Sequence, residues 1–406
     1  MCRGAKSVDL ARMAGRQGKQ SCPTPGFARG FWDWCASLPV QIRDDTGSGG
    51  DIMKRGIGRL TGVVGAALLA MAGCATSGEP QQIASAETAA SVARGLDCSF
   101  LTEADAAASA GVPNVAHDGV RLDPQPPPST DPNDAIAQRA NIPRSAQPPL
   151  TPSQTRILMC GYELDAANAR MPFALFVPDN YDPAKKWPLI VDLHGAGVTP
   201  LQQILFDGTT DFAQRDGYIV LAPMGFSTFG GWGPPRGTPV LVETADINPA
   251  TGEKWATNAL SEHDALTVLG MVRDKFNVDP DRIYLMGHSM GGFGTFFLGA
   301  KHNSLWAGIA PIAGGGVGPN APAEALKGVP VLVMHGAEDN VVRKESSRAS
   351  VRALQAVGAQ HIYLEFPGLE HEFFIRRGRE NLEKVFHFFN LVSRKTNVGP
   401  IPQPAP

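Results

Sequence analysis

The sequence predicts a three-layer α/β domain, with a mostly parallel eight-stranded sheet and helices on both faces. Two observations point there. Between residues 158 and 392, short apolar runs alternate with segments of helical periodicity, the pattern of a doubly wound sheet. Most of those runs are apolar throughout, as expected of strands buried on both faces. Leu158–Leu164 and Pro172–Pro178 read as an antiparallel pair. Trp187–Leu193, Tyr218–Pro223, Arg282–Gly287, Gly308–Ile312, Val329–His335 and His361–Phe366 suit a buried parallel sheet. Glu262–Phe276 and Lys344–Val357 carry apolar residues at helical spacing, and Asn381–Val392 reads as a closing amphipathic helix.

The most informative stretch is Gly287-His288-Ser289-Met290-Gly291, between the run ending at Met286 and a helical segment opening at Gly292. A serine at such a strand–turn–helix junction presents its Oγ at the mouth of a helix, and the flanking glycines let strand and helix close around the turn. Ser289 is therefore the candidate nucleophile. Serine attacks well only when a base takes its proton and a third group orients the base. Asp339 lies in the turn after Val329–His335, and His371 in the loop after His361–Phe366. Three strand ends then supply Ser, Asp and His, in a recurrent chain order for this chemistry.

Alternatives stand beside each assignment. Glu338 is the other candidate acid, and His371 is one of nine histidines. His194, His288 and His335 also sit at strand ends, where they line a site or satisfy loop backbone; His194 and His288 are kept as substrate-binding candidates. His361 and His387 read as structural. An oxyanion formed at Ser289 needs preorganised N–H donors. The Met290 amide, directly after the nucleophile, is one. The second comes from His194-Gly195-Ala196-Gly197, with Ala196 preferred and Gly195 the alternative.

Leu193-His194-Gly195-Ala196-Gly197, Gly287-His288-Ser289-Met290-Gly291-Gly292, His335-Gly336-Ala337-Glu338-Asp339 and Gly368-Leu369-Glu370-His371 together resemble the α/β-hydrolase family. The resemblance covers about the last three-fifths of the chain. Asn277-Val278-Asp279-Pro280-Asp281-Arg282-Ile283-Tyr284 and Pro172-Phe173-Ala174-Leu175-Phe176-Val177-Pro178 are similar to the esterase branch of polyhydroxybutyrate-depolymerase-like and feruloyl-esterase-like secreted enzymes. This implies the α/β-hydrolase fold and a serine carboxylic-ester hydrolase. A peptidase or an acyltransferase uses the same residues. A non-catalytic surface binding lipoprotein is the reading from a different class.

Residues 154–395 form the expected catalytic domain. Before it, Met53-Lys54-Arg55 is a basic start and Leu60–Met71 a short apolar core. Met71-Ala72-Gly73-Cys74 resembles a bacterial lipobox, which implies lipid on Cys74 and residues 53–73 as a removed signal peptide. Residues 1–52, with Cys2, Cys22 and Cys35, read as a non-native extension ahead of a true start at Met53. Peptides from residues 1–52 in the native proteome would overturn that. Within 74–153, Ala84–Ala110 is a short helical candidate, and Pro124–Pro152 is an extended linker or strap. The Pro-rich tail, 396–406, is expected to be disordered. Processing leaves Cys98 and Cys160 unmodified, an even pair that suggests a disulfide in an oxidising compartment.

Net charge is −3 and pI about 6.3, with no basic patch, so nucleic acid is not expected as a partner. No Cys/His spacing suggests a metal, and no cofactor is expected. The expected partner is a small or oligomeric ester. Membrane contact is expected only through lipid on Cys74, in an exported, cell-envelope or secreted protein; oligomeric state is left open. The segment Gly225–Asn258, with Phe226, Phe229, Trp232 and Trp255, is expected to border the site. Trp232 either stacks on a substrate ring or anchors the loop.

Overall fold

A computed structural model of the protein describes residues 96–109, 149–234, 241–243, 245–371 and 378–397. The start at Met53, the signal segment, Cys74, most of the Pro-rich stretch and the tail beyond residue 397 lie outside the described residues. Nine strands form one sheet there: β1 (Asp97–Phe100), β2 (Ile157–Leu164), β3 (Ala169–Phe176), β4 (Trp187–Leu193), β5 (Ile219–Pro223), β6 (Val278–His288), β7 (Gly308–Ile312), β8 (Val331–Gly336) and β9 (His361–Phe366). Their spatial order is β1-β2-β3-β5-β4-β6-β7-β8-β9. The first three pairings are antiparallel and the remaining five parallel.

The helices are α1 (Glu103–Ser109), α2 (Pro200–Ile204), α3 (Thr209–Asp216), α4 (Thr257–Lys275), α5 (Met290–Lys301), α6 (Lys344–Ala356) and α7 (Gly378–Leu391). With helices and sheet layered in this way, the chain has the α/β-hydrolase architecture that the apolar runs predict.

One element differs from the sequence reading. The helical candidate Ala84–Ala110 is broken in its described part: residues 97–100 form β1, and α1 follows. β1 adds a ninth strand from the mature N-terminal segment, so the boundary at residue 154 cuts across the sheet. The cause is tertiary. β1 pairs with β2 in a register that sets Cys98 opposite Cys160, and the two form a disulfide. Cross-strand pairing and the covalent link override a local preference for helix.

Burial on both faces explains the unbroken apolar runs. All seven residues of β4 are buried. Along β6, Ile283 and Leu285 enter the core on one side of the sheet. Tyr284 and Met286 enter the core on the other. That is the two-residue period of a strand covered twice. α7 closes the second side: Phe389 stacks on Tyr284 at 4.6 Å and Phe386 meets Tyr218 edge-on at 5.6 Å between ring centroids. Burying each such ring stabilises the fold by about 2–3 kcal/mol.

The topology also fixes where a site can form. β4 pairs with β5 on one side and β6 on the other, so the chain changes direction across the sheet at β4. Loops leaving the C-terminal ends of β4 and β6 therefore diverge around a crevice, the position where open α/β sheets bind ligands.

The crossover from β5 to α4 is held by a buried carboxylate. Asp264 on α4 accepts the Tyr162 hydroxyl and, at 2.6 Å, the Gly225 amide; the Phe226 amide also donates to it. Both turn residues have positive φ, 66° for Gly225 and 60° for Phe226. For Phe226 that geometry is strained and must be imposed by its surroundings. Burial raises the Asp264 pKa to about 6, against the lowering effect of these three donors.

A carboxyl whose folded pKa lies above its unfolded value favours the fold fully at low pH. That contribution is lost as pH rises from about 4 through about 6, on the order of 3 kcal/mol. Urea unfolding of wild type and Asp264→Asn at pH 4.5 and pH 8 should therefore show the variant gaining on wild type at the higher pH. A pH-independent difference would contradict the assignment. The disulfide closes a loop spanning a sequence separation of 62. Its reduction should lower unfolding stability by about 2–4 kcal/mol, and an unchanged urea midpoint after reduction would show that β1 is not clamped by it.

Candidate active site

Ser289 sits between β6 and α5 with φ 58° and ψ −116°. A non-glycine residue there is strained by about 1–3 kcal/mol, so neighbouring contacts must enforce it. The Ser289 amide donates to the Ile312 carbonyl of β7 at 2.9 Å. The glycines on either side permit the close approach. A Cβ on Gly291 would lie 2.0 Å from the Leu193 carbonyl oxygen, and one on Gly287 would lie 2.6 Å from that of Gly291. No side chain fits at either position, which is the physical content of the Gly-x-Ser-x-Gly pattern.

The structure brings Ser289, His371 and Asp339 into one hydrogen-bonded chain. His371 Nε2 lies 2.9 Å from Ser289 Oγ, and His371 Nδ1 lies 2.8 Å from Asp339 Oδ2. All three residues are buried. With Nδ1–H donated to the carboxylate, Nε2 is left as an acceptor for the serine proton. The other oxygen of Asp339 accepts the Val341 and Val342 amides at 2.9 and 2.8 Å. Burial opposes ionisation of Asp339, but hydrogen bonds from His335 and His371 outweigh it and hold the carboxyl well below the usual carboxylate range. Glu338, the alternative acid, is exposed and lies outside this chain.

The two histidines kept as substrate-binding candidates and Trp232 are all buried and face backbone carbonyls. His194 is fully buried, its ring nitrogens 2.8 and 2.6 Å from the Gly195 and Met224 carbonyls. Burial lowers its pKa against the effect of those two contacts. His288 is 2% exposed; its Nε2 meets the His371 carbonyl at 2.9 Å and so braces the loop that carries the base. Trp232 is also 2% exposed, and its Nε1–H donates to the His194 carbonyl at 3.1 Å. It anchors the β4 loop from beneath and offers no ring face to a ligand. Phe229, 42% exposed, is the accessible aromatic of that segment.

The β4 loop is set against the nucleophile. A Cβ on Gly195 would come 3.4 Å from Ser289 Cβ, so that glycine lies directly beside it. The Gly197 amide donates to Thr228 at 2.8 Å and the Val198 amide to Gly195 at 3.2 Å. Those bonds fix the turn and commit both amides. Ala196 and Gly195 remain as the oxyanion-hole candidates of this loop, with Met290 opening α5 on the other side.

The sequence reading left His335 as one of several strand-end histidines. The structure puts its Nε2 3.1 Å from Asp339 Oδ2. The signal was present in the spacing: His335 ends a strand and Asp339 follows four residues later, so a single tight turn brings them together.

The chain shares sequence with known hydrolases. It is 25% identical over 170 residues to a bifunctional acetylxylan esterase/xylanase of Neocallimastix patriciarum, covering 41% of this chain and 21% of that protein. It is 28% identical over 154 residues to the S-formylglutathione hydrolase of Bos taurus, covering 36% of this chain and 51% of the relative. The chain thus spans between about a fifth and a half of the length of these relatives. A crystal structure of a thermostable esterase superposes with a TM-score of 0.45 at 29% identity, over 59% of this chain and 63% of that one. Residues 175–390, from the end of β3 through nearly all of α7, match the dienelactone hydrolase family. With more than half of its length inside that match, the chain belongs to the dienelactone hydrolase family.

Proposed function

We propose that this protein is a serine carboxylic-ester hydrolase working through an acyl-enzyme. The observation that carries the reading is the chain from Ser289 Oγ to His371 to Asp339, at 2.9 and 2.8 Å, on a strained turn beside the β4 loop. Ser289 Oγ attacks the ester carbonyl carbon while His371 Nε2 takes its proton. Asp339 holds the ring and stabilises the imidazolium that forms. The Met290 amide and that of Ala196 or Gly195 hold the oxyanion. His371 then returns the proton to the leaving alcohol, and the C–O bond breaks. Water, deprotonated by the same nitrogen, attacks the acyl-enzyme and frees the acid and Ser289. Nε2 must be unprotonated to take that proton.

As for the substrate, the sequence resemblance supports short acyl, feruloyl or 3-hydroxybutyryl esters. As for location, we propose an exported protein tethered by lipid on Cys74. The disulfide between Cys98 and Cys160 supports an oxidising compartment. No helix among the described residues is long and apolar enough to cross a membrane.

The first test is turnover of acetyl, feruloyl and 3-hydroxybutyryl esters by wild type and Ser289→Ala. The variant should keep its thermal melt and lose about 10⁴-fold or more in kcat/KM. Turnover that survives the substitution would sink the mechanism. A fluorophosphonate probe that labels wild type while every ester is refused would move the reading to an amide or acyl-transfer substrate. For the tether, radiolabelled palmitate should enter the native protein expressed from its own leader and not the Cys74→Ser variant. Equal labelling of the two would rule out lipid at that position.

A further inference from the structure

The segment after β5 runs from the β4 loop to helix α5, and contacts hold it at both ends. The Thr228 carbonyl accepts the Gly197 amide at 2.8 Å. Trp232 packs on α5 so closely that Gly294 has no room for a Cβ. Between these contacts the turn is tightly bonded. The Ser227 amide donates to the Gly225 carbonyl at 2.6 Å, and the Gly230 amide to the Ser227 carbonyl at 3.0 Å. The Phe229 amide donates to Ser227 Oγ at 3.2 Å. Gly230 is pressed against Ser261 of α4. Phe226, Ser227, Thr228 and Trp232 are buried, while Phe229 is 42% exposed. A lone exposed phenylalanine is ordinary on a protein surface. This one stands on a rigid turn, one residue from the contact with the β4 loop, whose Gly195 lies against Ser289.

The two walls around Ser289 differ in charge. No residue from Gly225 to Pro234, and none from Gly195 to Pro200, has an ionisable side chain. On the opposite wall, Glu338 and Glu370 stand exposed beside Asp339 and His371. The sheet order decides which part of an ester meets which wall. β4 and β5 lie on one side of β6, and β8 and β9 on the other. A tetrahedral carbon on Ser289 carries Oγ, the oxyanion, the leaving oxygen and the acyl carbon. The leaving oxygen must face His371 Nε2, which returns its proton, so it lies toward β8 and β9. The oxyanion lies between Met290 and the β4 loop. The acyl chain is the remaining substituent, directed away from His371 and toward the segment after β5.

We propose that Phe229 is the specificity residue for the acyl group, its ring the wall against which a flat, uncharged acyl chain packs. This deepens the esterase reading and rests on it. An aromatic acyl group gains buried area and ring contact there. An acyl chain ending in a carboxylate would lose hydration against a wall that offers no opposite charge. The alcohol leaves on the far side and does not meet the ring. Phe229 therefore discriminates among acyl groups and not among alcohols, and the discrimination is carried in kcat/KM.

The experiment measures kcat/KM for p-nitrophenyl cinnamate and p-nitrophenyl acetate, and for benzyl acetate and ethyl acetate. It uses wild type, Phe229→Ala and Phe229→Tyr, with thermal melts to show that each variant is folded. The cinnamate-to-acetate ratio should fall roughly tenfold in Phe229→Ala and stay within about twofold of wild type in Phe229→Tyr. The benzyl-to-ethyl ratio should hold in both variants. An unchanged cinnamate-to-acetate ratio in folded Phe229→Ala overturns the inference. So does an equal fall in the benzyl-to-ethyl ratio, which would set the ring beside the alcohol. A tyrosine variant that behaves like alanine overturns it too, because the ring is then not the contact. If wild type hydrolyses no ester, the esterase reading fails instead. Calorimetric binding of ethyl cinnamate to Ser289→Ala, with and without Phe229→Ala, then decides the acyl wall separately: affinity lost with the ring supports it, and equal or absent binding overturns it.

Discussion

Everything at the site depends on two backbones touching. Ser289 can hold a positive φ because helix α5 closes onto the end of β4, with Gly291 packed against the Leu193 carbonyl. That contact does three jobs at once. It pushes the nucleophile out of the sheet and starts a helix at Met290, leaving that amide unbonded within α5. It also brings Gly195 of the β4 loop against Ser289. The strain at Ser289 persists because the Ile312 carbonyl of β7 and the glycine contacts together leave no relaxed alternative. The proposed nucleophile and oxyanion donors are consequently not separate features but two faces of one strand–helix junction.

The remaining parts are fixed by the loops that the sheet topology sends past that junction. The β8 turn delivers Asp339 and the β9 loop delivers His371, from strands that pair in parallel. The segment after β5 lies beneath the β4 loop. Trp232 bonds the His194 carbonyl, Thr228 takes the Gly197 amide, and Asp264 holds the strained turn at Gly225 and Phe226. A buried tryptophan and a buried aspartate thus help set the position of the β4 loop.

The succession of strands along the chain from β2 onward, their burial and the placement of Ser289, Asp339 and His371 at strand ends were legible because they follow from local pattern. Apolar runs without alternation mean a doubly covered sheet, and polar residues just past such runs collect at one edge. What was not legible depends on distant partners. β1 reads as helix in isolation and becomes strand only through β2 and Cys160. Trp232 could be read as a stacking platform or a buried anchor, and its packing against Gly294 and Gly225 comes from residues distant in sequence. His194, His288 and His335 occupy equivalent places in sequence, each at a strand end. They differ in what lies opposite: two backbone carbonyls, the carbonyl of His371, or the carboxylate of Asp339.

The same logic separates the buried carboxylates, and it shows why Asp339 suits the role. Burial raises the pKa of each of Asp192, Asp264 and Asp339, and the donors around each decide how much of that rise survives. Asp192 receives the Gln203 side-chain amide at 2.9 Å and stays well above the usual range. Asp264 receives one hydroxyl and two amides and settles at about 6. Asp339 receives two backbone amides and two imidazoles and falls below the range. A carboxylate can stabilise a cation on His371 only if it is itself ionised across the working pH. In this fold that condition is met where the β8 turn folds its own amides back onto the side chain and a second histidine closes the circle.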